Sequence, residues 1–179
     1  MRSGNLLILT GERGSGKTTL LQRLVKRKTA QGGKVGGLLT PARFEAGEKT
    51  GIYVVDLHSG ETRLFASKKP AEMTGFTFCE WIFDPQVLMW GNQVLASAES
   101  ADLFIIDEIG PMELEQGEGW TNALTLLTKG AKPNQTMLAV VRSECLQEAV
   151  KRFSPRWTVH MGADMERTFE QLCALTDNS

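Results

Sequence analysis

Cysteine, histidine and a surplus of either charge are what this 179-residue chain has least of. The three cysteines, Cys79, Cys145 and Cys173, are odd in number and widely spaced, and no C-x-x-C pair occurs. That argues against a disulfide framework and a thiolate metal site, and for reduced, partly buried thiols in a cytosolic protein. The two histidines, His58 and His160, have no Cys or His neighbour at ligand spacing, so no zinc site is expected. Lys and Arg number 20 against 21 Asp and Glu, a formal net charge of −1. Such a balance leaves no basic surplus for a large nucleic-acid footprint or an anionic membrane. No run approaches the ~18 apolar residues of a membrane-spanning helix. The N-terminus has one Arg and then a short apolar run leading straight into a glycine-rich loop. It is too short for a signal peptide, and the expected location is the cytoplasm. Internal repeats and low-complexity tracts are missing too. What remains is 41% hydrophobic and 23% charged, the make-up of a single domain over residues 1–179 with a sheet covered on both faces.

Against these absences stands one complete motif. Gly11-Glu12-Arg13-Gly14-Ser15-Gly16-Lys17-Thr18 reads G-x-x-x-x-G-K-[ST], with Thr19 following. Its glycines let the backbone fold tightly so that N–H groups face phosphate oxygens. Lys17 supplies a point charge for the β- and γ-phosphates, and the Thr18 hydroxyl is placed to hold Mg²⁺. Residues 11–19 are therefore the predicted nucleotide-binding set. The flanks agree: Asn5 to Thr10 reads as a buried strand, and Leu20, Leu21, Leu24 and Val25 recur at helical spacing. Strand, loop, helix puts the anion at a helix N-terminus, where free N–H groups and the dipole favour it.

Further along, Gln31-Gly32-Gly33-Lys34 stops the first helix, and Val35 to Thr40 reads as a strand ended by Pro41. Gly51 to Leu57 and Thr62 to Ala66 are β-rich runs between turns at 46–49 and 58–61, and predict a hairpin or meander. Ser67 to Pro70 reads as a solvated loop. Phe78 to Phe83 alternates and predicts one strand. Asp84 and Pro85 then form a cap and first turn for a helix marked by Val87, Leu88, Val94, Leu95 and Ala98. Leu103 to Ile106 is a continuous apolar run, expected to be a strand buried on both faces, as is Thr136 to Val141. Apolar stripes at 120–127, 146–153 and 169–175 predict three more helices. Alternating strands and helices predict an α/β fold with a mainly parallel sheet flanked by helices. An antiparallel hairpin insertion runs from Arg43 to Phe83.

The second half of the site is legible at Asp107-Glu108, which closes the apolar run at 103–106. Four apolar residues and an acid form a Walker B pattern. Mg²⁺ takes hard oxygen ligands and keeps several waters, so Asp107 is expected to reach it through water, alongside Thr18. Glu108, directly after, is placed to orient and deprotonate an attacking water, which favours hydrolysis over transfer to a second substrate. Glu113 is either an acid at a helix N-terminus or a neighbour of the metal site. A γ-phosphate in transfer also benefits from an arginine. Arg43, after the strand ending at Thr40, and Arg142, ending the strand at 136–141, are the leading candidates, with Arg13 a third. Phe76, Phe78, Trp81 and Phe83 are read either as core or as a surface on which a base stacks.

These residues resemble the cancer-related nucleoside-triphosphatase family of P-loop proteins over most of the chain. Gly11 to Thr19 matches G-x-x-G-x-G-K-T-T, and Gly36 to Arg43 resembles the family's strand that ends in arginine. Gly51 to Leu57 matches the following strand, and Phe83-Asp84 with Trp90-Gly91-Asn92 resembles its middle helix. Asp107 to Glu113 matches D-E-I-G-x-M-E, the most specific piece. Leu38 stands where the family has an aromatic, and Pro41-Ala42 stands where it carries a glutamate. The resemblance implies a RecA-like sheet and slow, Mg²⁺-dependent hydrolysis of several nucleoside triphosphates, ATP and GTP among them. Lys17 and Thr18 would bind phosphate and metal, Asp107 would position the metal, and Glu108 would be the base. Two other readings share the loop: a nucleotide or small-molecule kinase, and a nucleotide-dependent regulatory switch. The stretch 115–132 holds no arginine, unlike a kinase lid, and no Asn-Lys-x-Asp guanine signature occurs. Nothing in the sequence identifies a protein partner.

Overall fold

Apolar runs that are buried on both sides build the centre of the sheet. In the computed structural model, which describes residues 5–97 and 101–177, these are β1 (Asn5–Gly11), β2 (Val35–Leu39), β8 (Leu103–Ile109) and β9 (Thr136–Arg142). Successive side chains of a strand point to opposite faces. Thus Leu6 and Ile8 of β1 enter one core, and Leu7 and Leu9 enter the other. Helices α1 (Lys17–Ala30) and α6 (Met165–Asp177) cover the second face through Leu20, Leu21, Leu24 and Leu172. On the first face, α2 (Pro85–Ala96), α4 (Thr121–Lys129) and α5 (Leu146–Phe153) contribute Val87, Leu95, Leu124 and Phe153. Each such apolar side chain contributes about 1.5–3 kcal/mol when fully buried. The short helix α3 (Pro111–Leu114) follows β8 directly.

Strand order decides where the chemistry sits. The parallel part runs β10–β1–β9–β8–β2, where β10 is Trp157–His160. β9 therefore lies between the strand that leads into the glycine loop and the strand that ends in acids. The antiparallel part continues from β2 through β4 (Glu48–Asp56), β5 (Thr62–Ser67), β7 (Trp81–Phe83) and β6 (Phe76–Phe78), with β3 (Ala42–Glu45) hairpinned onto β4. Asp84 caps α2, accepting from Gln86 N at 2.7 Å and Val87 N at 3.3 Å, with Pro85 in the first turn. Ala98, expected on the same helix, lies outside the described residues. Among the described residues, no helix is long and apolar enough to cross a membrane.

Three expectations need correction. Phe78 to Phe83 is not one strand but the end of β6, a turn at Cys79–Glu80 and β7. Cys79 takes a left-handed φ of 53°, without the Gly or Asn that usually marks such a turn. Folding back lets Phe76 stack on Phe83 at 5.5 Å and sets Phe83 against Phe65 at 4.9 Å. Phe65 and Phe83 are core in the antiparallel part of the sheet, with Phe76 packed against them, and β7 and β6 lie six and seven places from β1. Secondly, β8 runs on through Asp107 and Glu108 to Ile109, and its ladder with β9 shifts register between Ile106 and Ile109. Thirdly, β10 was not expected. It is an edge strand of four residues with only Val159 buried, so it carries no apolar run to recognise.

Close packing of β2 on β8 depends on Gly37, which has φ +97° and whose Cβ would stand 1.9 Å from the Ile105 carbonyl oxygen. Gly37→Ala is expected to destabilise the fold by roughly 3–4 kcal/mol, through backbone displacement plus left-handed strain. Gly47→Ala, with φ +84° but open space around it, bears only the strain, roughly 1–2 kcal/mol. Urea midpoints of the two variants measure the difference.

Candidate active site

The loop between β1 and α1 is built around its own lysine. Lys17 is 7% exposed, and its Nζ donates to the Gly11 and Glu12 carbonyls, each at 2.8 Å. Gly16 caps α1 in a left-handed conformation with no side-chain bond, and the first turn holds no acid. The helix thus presents its free N–H groups without an internal anion to neutralise them. Ser15 Oγ is buried there with no partner among the described residues. Met161 and Met165, from the segment joining β10 to α6, pack behind the loop, so that a Cβ on Gly11 or Gly16 would meet them at 2.6 and 2.7 Å. Neither methionine was singled out in the sequence, since an apolar residue behind a glycine leaves no pattern. Glu12, Arg13, Gly14 and Thr19 are exposed along the loop.

Asp107 is 1% exposed. Its Oδ2 accepts from the Thr18 hydroxyl at 3.0 Å, across 89 residues of sequence, and from the Thr40 backbone N–H at 3.1 Å. Its Oδ1 is buried with no partner among the described residues. Burial is the main reason its pKa is pushed up to about 6; the Glu108 charge adds to this, and the bonds from Thr40 and Thr18 oppose it. A buried carboxylate oxygen left unpaired, beside a threonine hydroxyl, is a donor set that suits a hard divalent cation retaining several waters. Mg²⁺ fits these residues. Among the described residues no cluster of three or more His, Cys, Asp or Glu side chains competes as a metal site.

Glu108 stands next along β8 with about a third of its side chain exposed. Arg142 lies opposite Gly11 in the β1–β9 ladder, and its Nε donates to Glu108 Oε1 at 2.5 Å. The intervening strand β9 thus brings an arginine between the phosphate loop and the acids. Burial works against the Arg142 charge, but Glu108, Glu144 and Glu113 outweigh it and raise its pKa. Glu113 has a structural role: it is 6% exposed and accepts from Gly110 N at 2.9 Å and Trp120 N at 3.0 Å, which fixes the turn after β8. Burial raises its pKa and these bonds oppose the rise.

Arg43 is not brought to this cluster. Its Nη2 donates to Glu72 Oε2 at 2.6 Å, its Nε to Thr50 Oγ1 at 3.2 Å, and Glu45 lies 3.5 Å away. None of the groups that hold it belongs to the loop or to the end of β8. Two acids within reach on its own hairpin and the turn beyond β5 neutralise it locally. Sequence reasoning had only the distance of Arg43 from a strand end and could not see those partners.

A glycine-rich phosphate loop after the first strand of a sheet with a parallel core, its Thr18 bonded to Asp107, defines a P-loop domain of the RecA-like type. The sequence profile of a family described as NTPase matches residues 6–163. The chain is 31% identical over 157 residues to the nucleoside-triphosphatase THEP1 of Thermococcus kodakarensis, covering 86% of this chain and 83% of that protein. It is 32% identical over 157 residues to the protein of the same name from Methanothermobacter thermautotrophicus, covering 82% and 81%. The chain belongs to this NTPase family. Its fold is also that of the THEP1 crystal structure from Aquifex aeolicus (TM-score 0.71, 22% identity, 96% and 99% covered). The solution structure of a human cancer-related nucleoside triphosphatase superposes equally (TM-score 0.71, 21% identity, 100% and 99% covered).

Proposed function

We propose that this chain hydrolyses nucleoside triphosphates to diphosphate and phosphate with Mg²⁺, and with broad base preference. The observation that carries the reading is the pair of adjacent acids at the end of β8, one buried against Thr18 and the other exposed to solvent beside Arg142. Lys17 and the loop N–H groups would bind the β- and γ-phosphates, Lys17 exchanging its loop carbonyls for phosphate oxygens. Thr18 and Asp107 would hold the metal, whose chemistry is to neutralise charge on the phosphate oxygens. Glu108 orients a water and takes its proton as the oxygen bonds to the γ-phosphorus. The bond from that phosphorus to the β-bridging oxygen breaks, and the diphosphate leaves with the electron pair. Arg142, opposite Gly11 at the end of β9, holds Glu108 in line and would face the transferring group. The names of the relatives support hydrolysis, and the missing guanine signature supports broad base use.

The test is a phosphate-release panel of NTPs and dNTPs, with and without Mg²⁺ and with no acceptor present. Release from several nucleotides, lost on chelation, is the expected result. No release until an acceptor is added, with a phosphorylated product, would reassign the site to phosphotransfer.

A further inference from the structure

With Arg43 tied up on the hairpin and Arg142 committed to Glu108, a third cation reaches the site. β4 pairs with β2 only at Asp56 and Val55, opposite Leu38 and Leu39. Its earlier residues therefore run past the carboxyl end of β2 and, with β3, stand above the sheet edge that carries Thr40 and Asp107. Lys49 lies on this overhang, paired with Phe44 across the hairpin, and its Nζ sits 5.3 Å from the centre of the Trp81 ring. The charges that act on that ammonium are Glu108, Arg13, Arg142 and Asp107. They belong to the phosphate loop, β8 and β9, toward whose end of the sheet the overhang of β4 carries Lys49. Desolvation lowers its pKa although the residue as a whole is exposed, and the Trp81 ring lies beside the ammonium. Among the described residues the Lys49 ammonium makes no hydrogen bond and no ion pair. Glu108 and Asp107 attract this partly desolvated ammonium while Arg13 and Arg142 repel it, and no carboxylate among the described residues is in ion-pair contact with it.

We propose that Lys49 is a catalytic residue whose ammonium contacts the γ-phosphate of the bound nucleotide from the β3–β4 hairpin. The contact distinguishes a triphosphate from a diphosphate, because the γ-phosphate is the group that faces Glu108. The Trp81 ring guides the ammonium, and flexible methylenes give it the reach that the pinned guanidinium of Arg43 lacks. The proposal rests on the hydrolase reading above.

Isothermal titration of Mg²⁺ with ADP and with the β,γ-imido analogue of ATP tests it. Lys49→Met is expected to weaken the triphosphate analogue by about 10-fold or more and ADP by less than about 2-fold. Phosphate release falls in kcat, and Lys49→Arg restores part of both. Lys68 also approaches the Trp81 ring, at 4.8 Å, and Lys68→Met should leave both affinities unchanged. Equal loss for the two ligands, or no loss for either, overturns the proposal. So does a wild type that binds the analogue no better than ADP. Should Lys49→Met unfold, Lys49→Gln is titrated instead, with its Tm recorded beside wild type. Failure of the hydrolase reading looks different: selective loss of analogue binding in the variant, with no phosphate released from any nucleotide by wild type.

Discussion

Glu108→Gln lowers phosphate release by a factor of about 10²–10⁴ while nucleotide affinity stays within about twofold. The amide keeps the shape and still accepts from Arg142 Nε, so the strand end and the guanidinium hold their places. What is lost is the capacity to take a proton from water. The effect should therefore fall on kcat, since the group acts on the nucleophile and not on the bound phosphates. Single-turnover rates and equilibrium titration separate the two. Wild-type turnover in the variant would move the base elsewhere in the site. Arg142→Ala makes a useful contrast, because it frees Glu108 to move and also removes a charge beside the γ-phosphate.

Asp107→Asn is expected to reduce Mg²⁺-dependent hydrolysis by about 10²-fold or more and to remove a pH dependence of stability. The wild-type carboxyl has its pKa pushed from 3.8 to about 6, chiefly by burial. A raised acid stabilises the fold through its protonated form. That contribution is complete below about pH 3.8 and is lost as pH rises through about 6, where folding leaves an ionised oxygen dry. Two pK units correspond to roughly 3 kcal/mol at most. Metal-free wild type should lose urea stability between about pH 4 and pH 7 relative to the Asn variant, whose difference from wild type isolates this one group. Mg²⁺ with ADP should restore wild-type stability above pH 6 and do little for the variant. Parallel pH curves for the two metal-free proteins would mean that Asp107 is not desolvated as described.

Local patterns made much of the site readable in advance. A glycine loop needs its residues consecutively, and a strand that ends in acids needs an apolar run and two carboxylates in a row. Residues 11–19 and 103–108 therefore reveal themselves without any long-range information. The Asp84-Pro85 start of α2 belongs with them, because a cap bonds N–H groups two and three residues away. Edge and turn elements were harder. β10 buries one side chain, and the β6–β7 hairpin turns at Cys79 and Glu80 without a glycine. Neither leaves the periodicity from which strands are read.

By itself, then, the sequence determined a glycine-rich phosphate-loop motif, an acid pair and an α/β domain, because each depends on neighbours along the chain. Only the tertiary structure decided which cations lie toward that loop. Arg142 enters because β9 is threaded between β1 and β8, and Arg43 leaves because Glu72, far along the chain, folds back to meet it. Lys49, which in the sequence is a residue of a turn, arrives because β4 overshoots β2. Charges act through space over distances set by strand order and register, and those are properties of the packed sheet that no local run of residues encodes.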